Sequence, residues 1–310
     1  MSAKLKFIDL FAGIGGTRLG FEKAGAICVF SSEWDVHSQK TYEANFGEVP
    51  HGDITKINEI DIPKFDILVG GFPCQPFSSI GKREGFKHKT QGTLFYDIAR
   101  ILAYHKPKAF LLENVPGLLT HQDGKTLQIV LETLNELDYY VEYKILNAAD
   151  FGVPQKRDRI YIVGFNKKKV KVADFIFPNK KIKTPDIGKF VERNIQDRSI
   201  SKHLQKVYIF KKDDGRPEII DYKTKGPVKT LVASYHKIQR LTGTFVADGP
   251  TGLRLLTEKE CKAIMGFPPN YKIPVSRTQM YRQFGNSVAV PVITYLARSI
   301  VKHIESNVRK

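Results

Sequence analysis

The sequence is poor in cysteine, and its three cysteines, Cys28, Cys74 and Cys261, lie far apart. Three isolated cysteines argue against a disulfide framework and a clustered zinc site. The chain also has no apolar run near the roughly 18 residues that a membrane span needs. Its first residues show no signal-peptide pattern. These absences favour a protein of the reducing cytoplasm, with no metal and no membrane contact.

Acidic residues are outnumbered, with 32 Asp and Glu against 49 Lys and Arg, for a net charge of +17. Residues 166–250 hold 20 Lys and Arg against 9 Asp and Glu, which gives this quarter of the chain a net charge of +11. Such a charge favours a polyanionic partner, nucleic acid first and an acidic membrane surface second, although Lys-rich proteins are sometimes only soluble. We therefore expect a polyanionic partner that contacts the basic middle of the chain.

Short apolar runs alternate with helical patterns in the first half. Strands are predicted at residues 6–10, 26–32, 66–70, 109–113 and 159–165, and helices at residues 17–24, 36–45, 94–105 and 126–137. This alternation predicts an α/β fold with a doubly wound, mostly parallel, Rossmann-like sheet. The basic middle predicts a small β-rich module. Helical pattern resumes at Thr257, which is expected to cap a helix carrying Glu260, and residues 286–304 predict a final helix.

A glycine-rich turn, Phe11-Ala-Gly-Ile-Gly-Gly16, joins the first strand to the first helix. Such glycines let the backbone approach a ligand at the carboxyl edge of the sheet, although a tight packing turn explains them equally well. Glu33 ends the second strand, where an acid commonly accepts hydrogen bonds from ribose hydroxyls. Trp34 is a candidate to stack on a purine, and Asp53 to meet an adenine amino group. The alternative is a solvated acid beside a core aromatic.

Cys74 lies in Gly70-Gly-Phe-Pro-Cys-Gln-Pro-Phe-Ser78, at the end of the third strand. Two prolines stiffen this loop and fix the direction of the thiol, which suits a nucleophile. A buried, inert cysteine is the alternative. Such a cysteine more often lies within a strand, as Cys28 does, or on an apolar helix face, as Cys261 does.

Glu113 follows the next strand in Glu113-Asn-Val-Pro-Gly117, where its carboxyl group would lie beside the Cys74 loop. Desolvation there would raise its pKa and suit it to act as an acid. Arg157 and Arg159, in Gln155-Lys-Arg-Asp-Arg159, begin a late strand. Taken alone, these two arginines are better explained as a solvated basic face.

Together and in this order, the motifs resemble those of DNA (cytosine-5) methyltransferases of bacterial restriction–modification systems. The resemblance rests on Phe11-x-Gly-x-Gly-Gly16, Pro73-Cys-Gln75, Glu113-Asn-Val115, Gln155-x-Arg-x-Arg159, Arg254-Leu-Leu-Thr257 and Gln283-Phe-Gly-Asn-Ser-Val288. It covers nearly the whole chain except the basic middle. An oxidoreductase is disfavoured, because the glycine turn lacks the spacing of a dinucleotide fingerprint.

The resemblance implies an S-adenosylmethionine-dependent methyltransferase fold, with S-adenosylhomocysteine as product and no metal. Phe11 would pack on the adenine, Glu33 would hold the ribose, and Asp53 would meet the adenine edge. The full set of implied cofactor residues is Phe11, Gly13, Gly15, Gly16, Glu33, Trp34, Asp53, Ile54, Gly71, Pro73, Leu94, Asn286 and Val288.

The resemblance also implies that Cys74 adds to C6 of a flipped-out cytosine in duplex DNA, while Glu113 assists at N3. Arg159, with Arg157, would contact the base or a neighbouring phosphate. Gln75 and Ser78 would hold the DNA backbone, and Thr230-Leu231 matches a pair found in the family's target-recognition domain.

The expected organisation is a catalytic domain of residues 1–180 and 286–310, a target-recognition domain of residues 181–257 and a hinge of residues 258–285. We expect a cytoplasmic, bacterial or phage-encoded monomer, with a cognate restriction endonuclease that shares the target site. Two alternatives stay open: a tRNA cytosine-5 methyltransferase with the same catalytic set, and a catalytically inactive DNA-binding homologue.

Overall fold

The computed structural model describes residues 4–72, 94–171, 174–179 and 182–309. Its centre is a six-stranded sheet in the order β2-β1-β3-β4-β6-β5. The strands are β1 (Lys6–Leu10), β2 (Ile27–Ser32), β3 (Ile67–Gly71), β4 (Ala109–Asn114), β5 (Tyr139–Asn147) and β6 (Asp158–Asn166). Strands β1 to β4 pair in parallel, and β6 runs antiparallel to β4 and β5. The predicted mostly parallel sheet is confirmed, and β5 is an edge strand that the sequence analysis missed.

The α-helices of the described residues are α1 (Gly16–Lys23), α2 (Val36–Phe46), α3 (Leu94–His105), α4 (Lys125–Glu136), α5 (Lys202–Leu204), α6 (Glu258–Met265), α7 (Arg277–Asn286) and α8 (Val290–Asn307). Both faces of the sheet are covered, one by α1 and α8 and the other by α3 and α4. Phe7 packs in a core with α1 and α8, whereas its neighbour Ile8 packs in a core with α3 and α4. Because both faces are buried, the central strands are continuous apolar runs rather than alternating ones.

Helices α1 and α8 lie in direct contact on one face of the sheet. A Cβ atom on Gly20 would lie 2.4 Å from Cγ2 of Ile293, so a side chain larger than hydrogen does not fit there. Residues 277–307 contain a window apolar enough to cross a membrane by composition, but 61% of that window is buried within the protein. Its apolar residues therefore serve the core beside α1.

The C-terminal helical region contains α7 in addition to the two helices that the sequence predicts. The predicted cap is confirmed, because the Thr257 hydroxyl and the Glu260 carboxylate form a reciprocal capping box at the start of α6. The final helix begins at Val290 rather than at residue 286, and α7 precedes it. Pro291 stands in the first turn of α8, where its missing N–H costs no helical hydrogen bond.

The basic middle has little regular structure. It contains the short helix α5, which continues as a π-helix over Gln205–Ile209, and two three-residue strands, β7 (Glu218–Ile220) and β8 (Thr244–Val246), which pair in parallel. The β-rich character predicted for this segment is therefore limited to one small sheet within the described ranges. Apolar residues of this segment, such as Phe245, share a core cluster with Cys261 of α6 and Phe284 of α7.

Candidate active site

A cavity of about 780 Å³ opens at the carboxyl edge of the parallel strands, the edge at which open α/β sheets bind ligands. The residues of its wall that the sequence analysis had selected are Phe11, Gly13, Gly16, Glu33, Trp34, Gly71, Leu94, Glu113, Arg159, Asn286 and Val288. The fold therefore brings residues from the glycine turn, from the ends of three parallel strands and from the junction of α7 and α8 around one space.

The glycine turn and Glu33 form one wall of this cavity. The backbone N–H of Gly13 donates to Oε2 of Glu33 at 2.8 Å, and the N–H of Asp35 donates to Oε1 at 2.8 Å. Burial raises the pKa of the Glu33 carboxyl group, and the two amides oppose that shift. Trp34 remains 76% exposed beside it. A carboxylate acceptor next to an open indole face fits a ligand with a ribose and a purine.

The conformation of the turn explains two of its glycines. Gly13 and Gly15 have φ of +55° and +78°, in the region that favours glycine. A Cβ atom on Gly13 would approach only the Phe11 carbonyl oxygen, at 4.0 Å, so the backbone is open to a ligand. A Cβ atom on Gly15 would lie 2.2 Å from the Phe46 ring. Gly15 is therefore needed for packing and does not line the cavity.

Asp53 and Ile54, expected at the adenine edge, do not contribute to the described cavity wall. Oδ1 of Asp53 accepts hydrogen bonds from the backbone N–H and the hydroxyl group of Thr55, which caps a 3-10 turn over Ile54–Lys56. The Ile54 side chain is 2% exposed and belongs to the core. The structure thus gives both residues a local structural role.

Glu113 and Arg159 meet where β4 ends and β6 begins. Nε of Arg159 lies 2.9 Å from Oε1 of Glu113, and the side chains are 14% and 17% exposed respectively. Burial raises the pKa of the Glu113 carboxyl group, and the charges of Arg159 and Arg157 oppose that shift. A Cβ atom on Gly71 would lie 3.2 Å from Oε2, so the glycine leaves space beside this oxygen. The arrangement favours a carboxyl group that can carry a proton inside the cavity.

Asn114, to which the sequence analysis gave no role, connects the ends of two parallel strands. Its Nδ2 donates to the Phe72 carbonyl at 3.0 Å, and its Oδ1 accepts from the N–H of Val115. This side chain therefore fixes the chain immediately before residue 73. Pro73, Cys74, Gln75 and Ser78 lie outside the described residues, while the cavity wall includes Phe72 and Leu94 on either side of that gap.

The two described cysteines have the properties expected of inert thiols. Burial raises the pKa of Cys28 to about 12 and raises that of Cys261 well above its usual range. Both thiols are therefore protonated at neutral pH and are poor nucleophiles.

Arg157, expected to contact the base or a phosphate, does not line the described cavity. It is 2% exposed, and its guanidinium donates to the carbonyl groups of Leu231, Gly285 and Ser287. Its two terminal nitrogens are thus directed at the backbone, and in this structure Arg157 holds segments of the protein together instead of facing the cavity.

Thr230 and Leu231 also differ from their expected role in DNA contact. The Thr230 hydroxyl donates to the Lys156 carbonyl, and Leu231 is 4% exposed. The residues that reach the cavity come slightly later, and they had been overlooked: Ala233, Ser234, His236 and Lys237, together with Gln279 and Arg282 of α7. His236 and Lys237, five and six residues after Leu231, were the available signal in the sequence.

The described residues offer no group of three His, Cys, Asp or Glu side chains arranged to hold a metal ion. What the cavity does offer is an acceptor for a ribose, an aromatic face, a protonatable carboxyl group and an arginine beside it. This combination suits a cofactor and a planar polar substrate bound side by side.

Comparison with known proteins agrees with this geometry. The chain is 58% identical over 299 residues to the type II methyltransferase M.MspI of a Moraxella species, covering 96% of this chain and 71% of that protein. It is 44% identical over 319 residues to the type II methyltransferase M.HhaI of Haemophilus parahaemolyticus, covering 96% and 94%. The fold matches that of a Spodoptera frugiperda DNMT2 mutant with a TM-score of 0.77 at 22% identity, over 97% and 100% of the two chains.

Residues 5–302 match the family described as C-5 cytosine-specific DNA methylase. The match spans the glycine turn, the Glu113–Arg159 pair and the basic middle alike, and it excludes the oxidoreductase alternative. The chain belongs to the C-5 cytosine-specific DNA methylase family and is a DNA (cytosine-5) methyltransferase.

Proposed function

We propose that the protein transfers a methyl group from S-adenosylmethionine to C5 of a flipped-out cytosine, within a duplex sequence that its basic middle selects. The observation that carries this proposal is the buried Glu113–Arg159 pair, which shares one cavity with Glu33 and the glycine turn. A protonatable acid and the residues expected to bind the cofactor therefore line the same cavity.

The cofactor would lie between the glycine turn and the junction of α7 and α8. Gly13 leaves the backbone open, Glu33 would accept from the ribose hydroxyls, and Trp34 would offer its indole to the adenine. Asn286 and Val288 form the opposite side. When bound, S-adenosylmethionine supplies an electrophilic methyl group.

The protein's own groups activate the base. The thiolate of Cys74 adds to C6 while the protonated Glu113 donates to N3, so that C5 becomes electron-rich enough to accept the methyl group. Loss of the C5 proton then expels the Cys74 thiolate and restores the ring. Arg159 orients the Glu113 carboxyl group through its 2.9 Å contact. With Cys28 and Cys261 protonated by burial, Cys74 is the cysteine left for this role.

Access to this pair requires the base to leave the duplex. The Glu113 and Arg159 side chains are only 17% and 14% exposed, and the cavity that they line has a volume of about 780 Å³, which is too small to admit a stacked duplex. Extrusion of one nucleotide costs a few kcal/mol of stacking and pairing. Lys237 and Arg282 lie on the wall formed by the basic middle and α7, and they would hold the phosphates of the extruded nucleotide.

We assign target recognition to residues 181–257, with catalysis in residues 1–180 and 286–310 and a connecting segment at residues 258–285. The net charge of +11 on residues 166–250 supports this assignment, because phosphate contacts dominate DNA affinity. The type II names of the relatives support a role in a bacterial restriction–modification system. The enzyme would act as a cytoplasmic monomer beside an endonuclease that shares its target.

Methyl transfer to DNA and to tRNA, each with radiolabelled S-adenosylmethionine, tests the proposal. We expect transfer to duplex DNA, abolished by Cys74→Ala and lowered on the order of 10²-fold by Glu113→Gln, the typical effect of losing a general acid. Cys28→Ala is the matched control and should retain activity. Transfer to tRNA alone would support the RNA alternative, and activity of Cys74→Ala within tenfold of wild type would remove the nucleophile assignment.

A further inference from the structure

The residues before β6 are joined along their length to the basic middle. The Lys156 N–H donates to the Val228 carbonyl at 2.8 Å, and the Val228 N–H donates to the Pro154 carbonyl at 2.9 Å. Oε1 of Gln155 accepts from the N–H of Leu231 at 2.7 Å. The segment that begins the catalytic strand β6 therefore fixes the segment that leads, two residues later, to the cavity wall at Ala233.

Arg157 extends this connection to the opposite side of the cavity. Its NH1 donates to the Leu231 carbonyl at 3.1 Å, and its NH2 donates to the Gly285 and Ser287 carbonyls at 3.0 and 2.6 Å. Gly285 and Ser287 flank Asn286, which lines the cavity together with Val288. One planar guanidinium thus holds the wall assigned to the cofactor and the wall assigned to DNA.

Burial of the Arg157 guanidinium in this position costs free energy. No carboxylate of the described residues lies within ion-pair distance of it, and its Nε is buried without a hydrogen-bond partner. Burying a cation without a counter-ion is unfavourable unless its donors are satisfied. The three backbone carbonyls satisfy part of this requirement, through the two terminal nitrogens. Lysine, with one compact ammonium group, cannot reproduce the planar fork.

A second contact, independent of Arg157, joins the same two walls. A Cβ atom on Gly285 would lie 2.1 Å from the backbone nitrogen of Ala233. The end of α7 therefore touches the basic middle backbone to backbone, and displacement of one must displace the other.

We propose that Arg157 is a positioning residue that couples cofactor binding to DNA binding, an inference that rests on the proposed function. A cofactor bound at Asn286 and Val288 would contact the end of α7 directly. Arg157 and Gly285 would transmit a change of position there to the segment that carries Ala233 and Lys237. Because such coupling is reciprocal, DNA must tighten cofactor binding by the same factor.

Calorimetry with S-adenosylhomocysteine, in the presence and absence of a short duplex carrying the methylated site found by sequencing, measures this factor. We expect DNA to tighten binding about 5- to 150-fold in wild type, the usual range of such coupling. In Arg157→Lys the ratio of the affinity for S-adenosylhomocysteine with DNA to the affinity without DNA should fall towards one. The affinity without DNA should change less than threefold. Arg240→Lys is the matched control, because Arg240 is 3% exposed and also donates to backbone carbonyls, but lies outside the cavity wall. It should keep the wild-type ratio.

An unchanged ratio in Arg157→Lys, or a ratio of one in wild type, would overturn the inference even if the enzyme methylates DNA normally. A wild type that does not methylate DNA would instead overturn the proposed function. If Arg157→Lys fails to fold, the same measurement on Gly285→Ala tests the inference, because this variant leaves Arg157 in place and forces the two walls apart. Retention of the full ratio by that variant would equally overturn the coupling.

Discussion

Nε of Arg159 lies 2.9 Å from Oε1 of Glu113, so the cation acts directly on the proton affinity of the carboxyl group that burial has raised. Arg159→Met removes the charge that lowers the pKa of Glu113. The protonated form should then persist to higher pH. In the pH profile of the single-turnover rate, the decline on the alkaline side (the alkaline limb) should therefore move to higher pH. The rate itself should fall on the order of 10²-fold, as for loss of one catalytic hydrogen-bond donor.

Arg159→Lys provides the control for charge, because it keeps a cation near Glu113 without the planar guanidinium. Its alkaline limb should stay near that of wild type although its rate falls. A limb that moves to lower pH in Arg159→Met would show that Glu113 does not act in its protonated form.

The glycine turn allows a matched comparison of two alanine variants. Gly13→Ala and Gly15→Ala both place a side chain at positive φ, which costs about 1–2 kcal/mol each. Gly15→Ala also sets a methyl group against Phe46, and such overpacking typically costs a further 1–3 kcal/mol. Urea unfolding should therefore rank Gly15→Ala as clearly less stable than Gly13→Ala. Equal stability of the two variants would contradict the close approach of Phe46.

Asp9 makes the stability of the protein depend on pH. Burial raises its pKa to about 8, with Arg18 opposing, and Oδ2 has no hydrogen-bond partner in the described structure. Between its ordinary pKa of 3.8 and about 8, the folded protein keeps a proton that the unfolded chain releases. Stability from this group is therefore present below that window and is lost as pH rises through it.

Asp9→Asn cannot titrate and resembles the protonated acid in shape. Its melting temperature should lie close to that of wild type near pH 4, should exceed it increasingly up to about pH 8, and should exceed it by a constant margin above that pH. Thermal unfolding across this range is the measurement, and parallel curves for the two proteins would refute the assignment to Asp9.

Lys237 and Arg282 are the cations that the basic middle and α7 contribute to the cavity wall. If each holds one phosphate, Lys237→Gln and Arg282→Gln should each reduce the slope of log affinity against log salt by about 0.9. Lys302→Gln, an exposed change on α8, is the control and should leave the slope unaltered. Fluorescence anisotropy with a labelled duplex measures the slope, and an unchanged slope in both cavity variants would exclude phosphate contact.

Much of the fold could be predicted because the central strands are local apolar runs that end in functional residues. The runs ending at Leu10, Ser32, Gly71 and Asn114 identify the sheet and its ligand-binding edge. Strand β5 escaped prediction because it is an edge strand with much of its length exposed, so its side chains form neither a buried run nor a strict alternation. Helix α7 was missed because its apolar residues are few and are mixed with Arg and Gln.

The sequence predicts which polar side chains face the cavity when those residues stand at the end of a strand. It does not predict which polar side chains bond within the protein instead. Glu33 follows β2 directly and Glu113 lies near the end of β4, so the sheet sets the direction of both side chains. Asp53, Arg157 and Thr230 have equally suggestive chemistry but bond within the protein instead. The partners of Arg157 are as distant as Gly285 and Ser287, and no local pattern identifies them.

The contact between α1 and α8 determines when during its synthesis this enzyme becomes competent. Ile293 packs directly on Gly20 in the helix that follows the glycine turn, and Val288 lies against Gly16 at its start. Until residues 286–307 have emerged from the ribosome, the turn lacks these contacts and the cavity wall lacks Asn286 and Val288. Methylation should therefore begin only after this late segment has emerged.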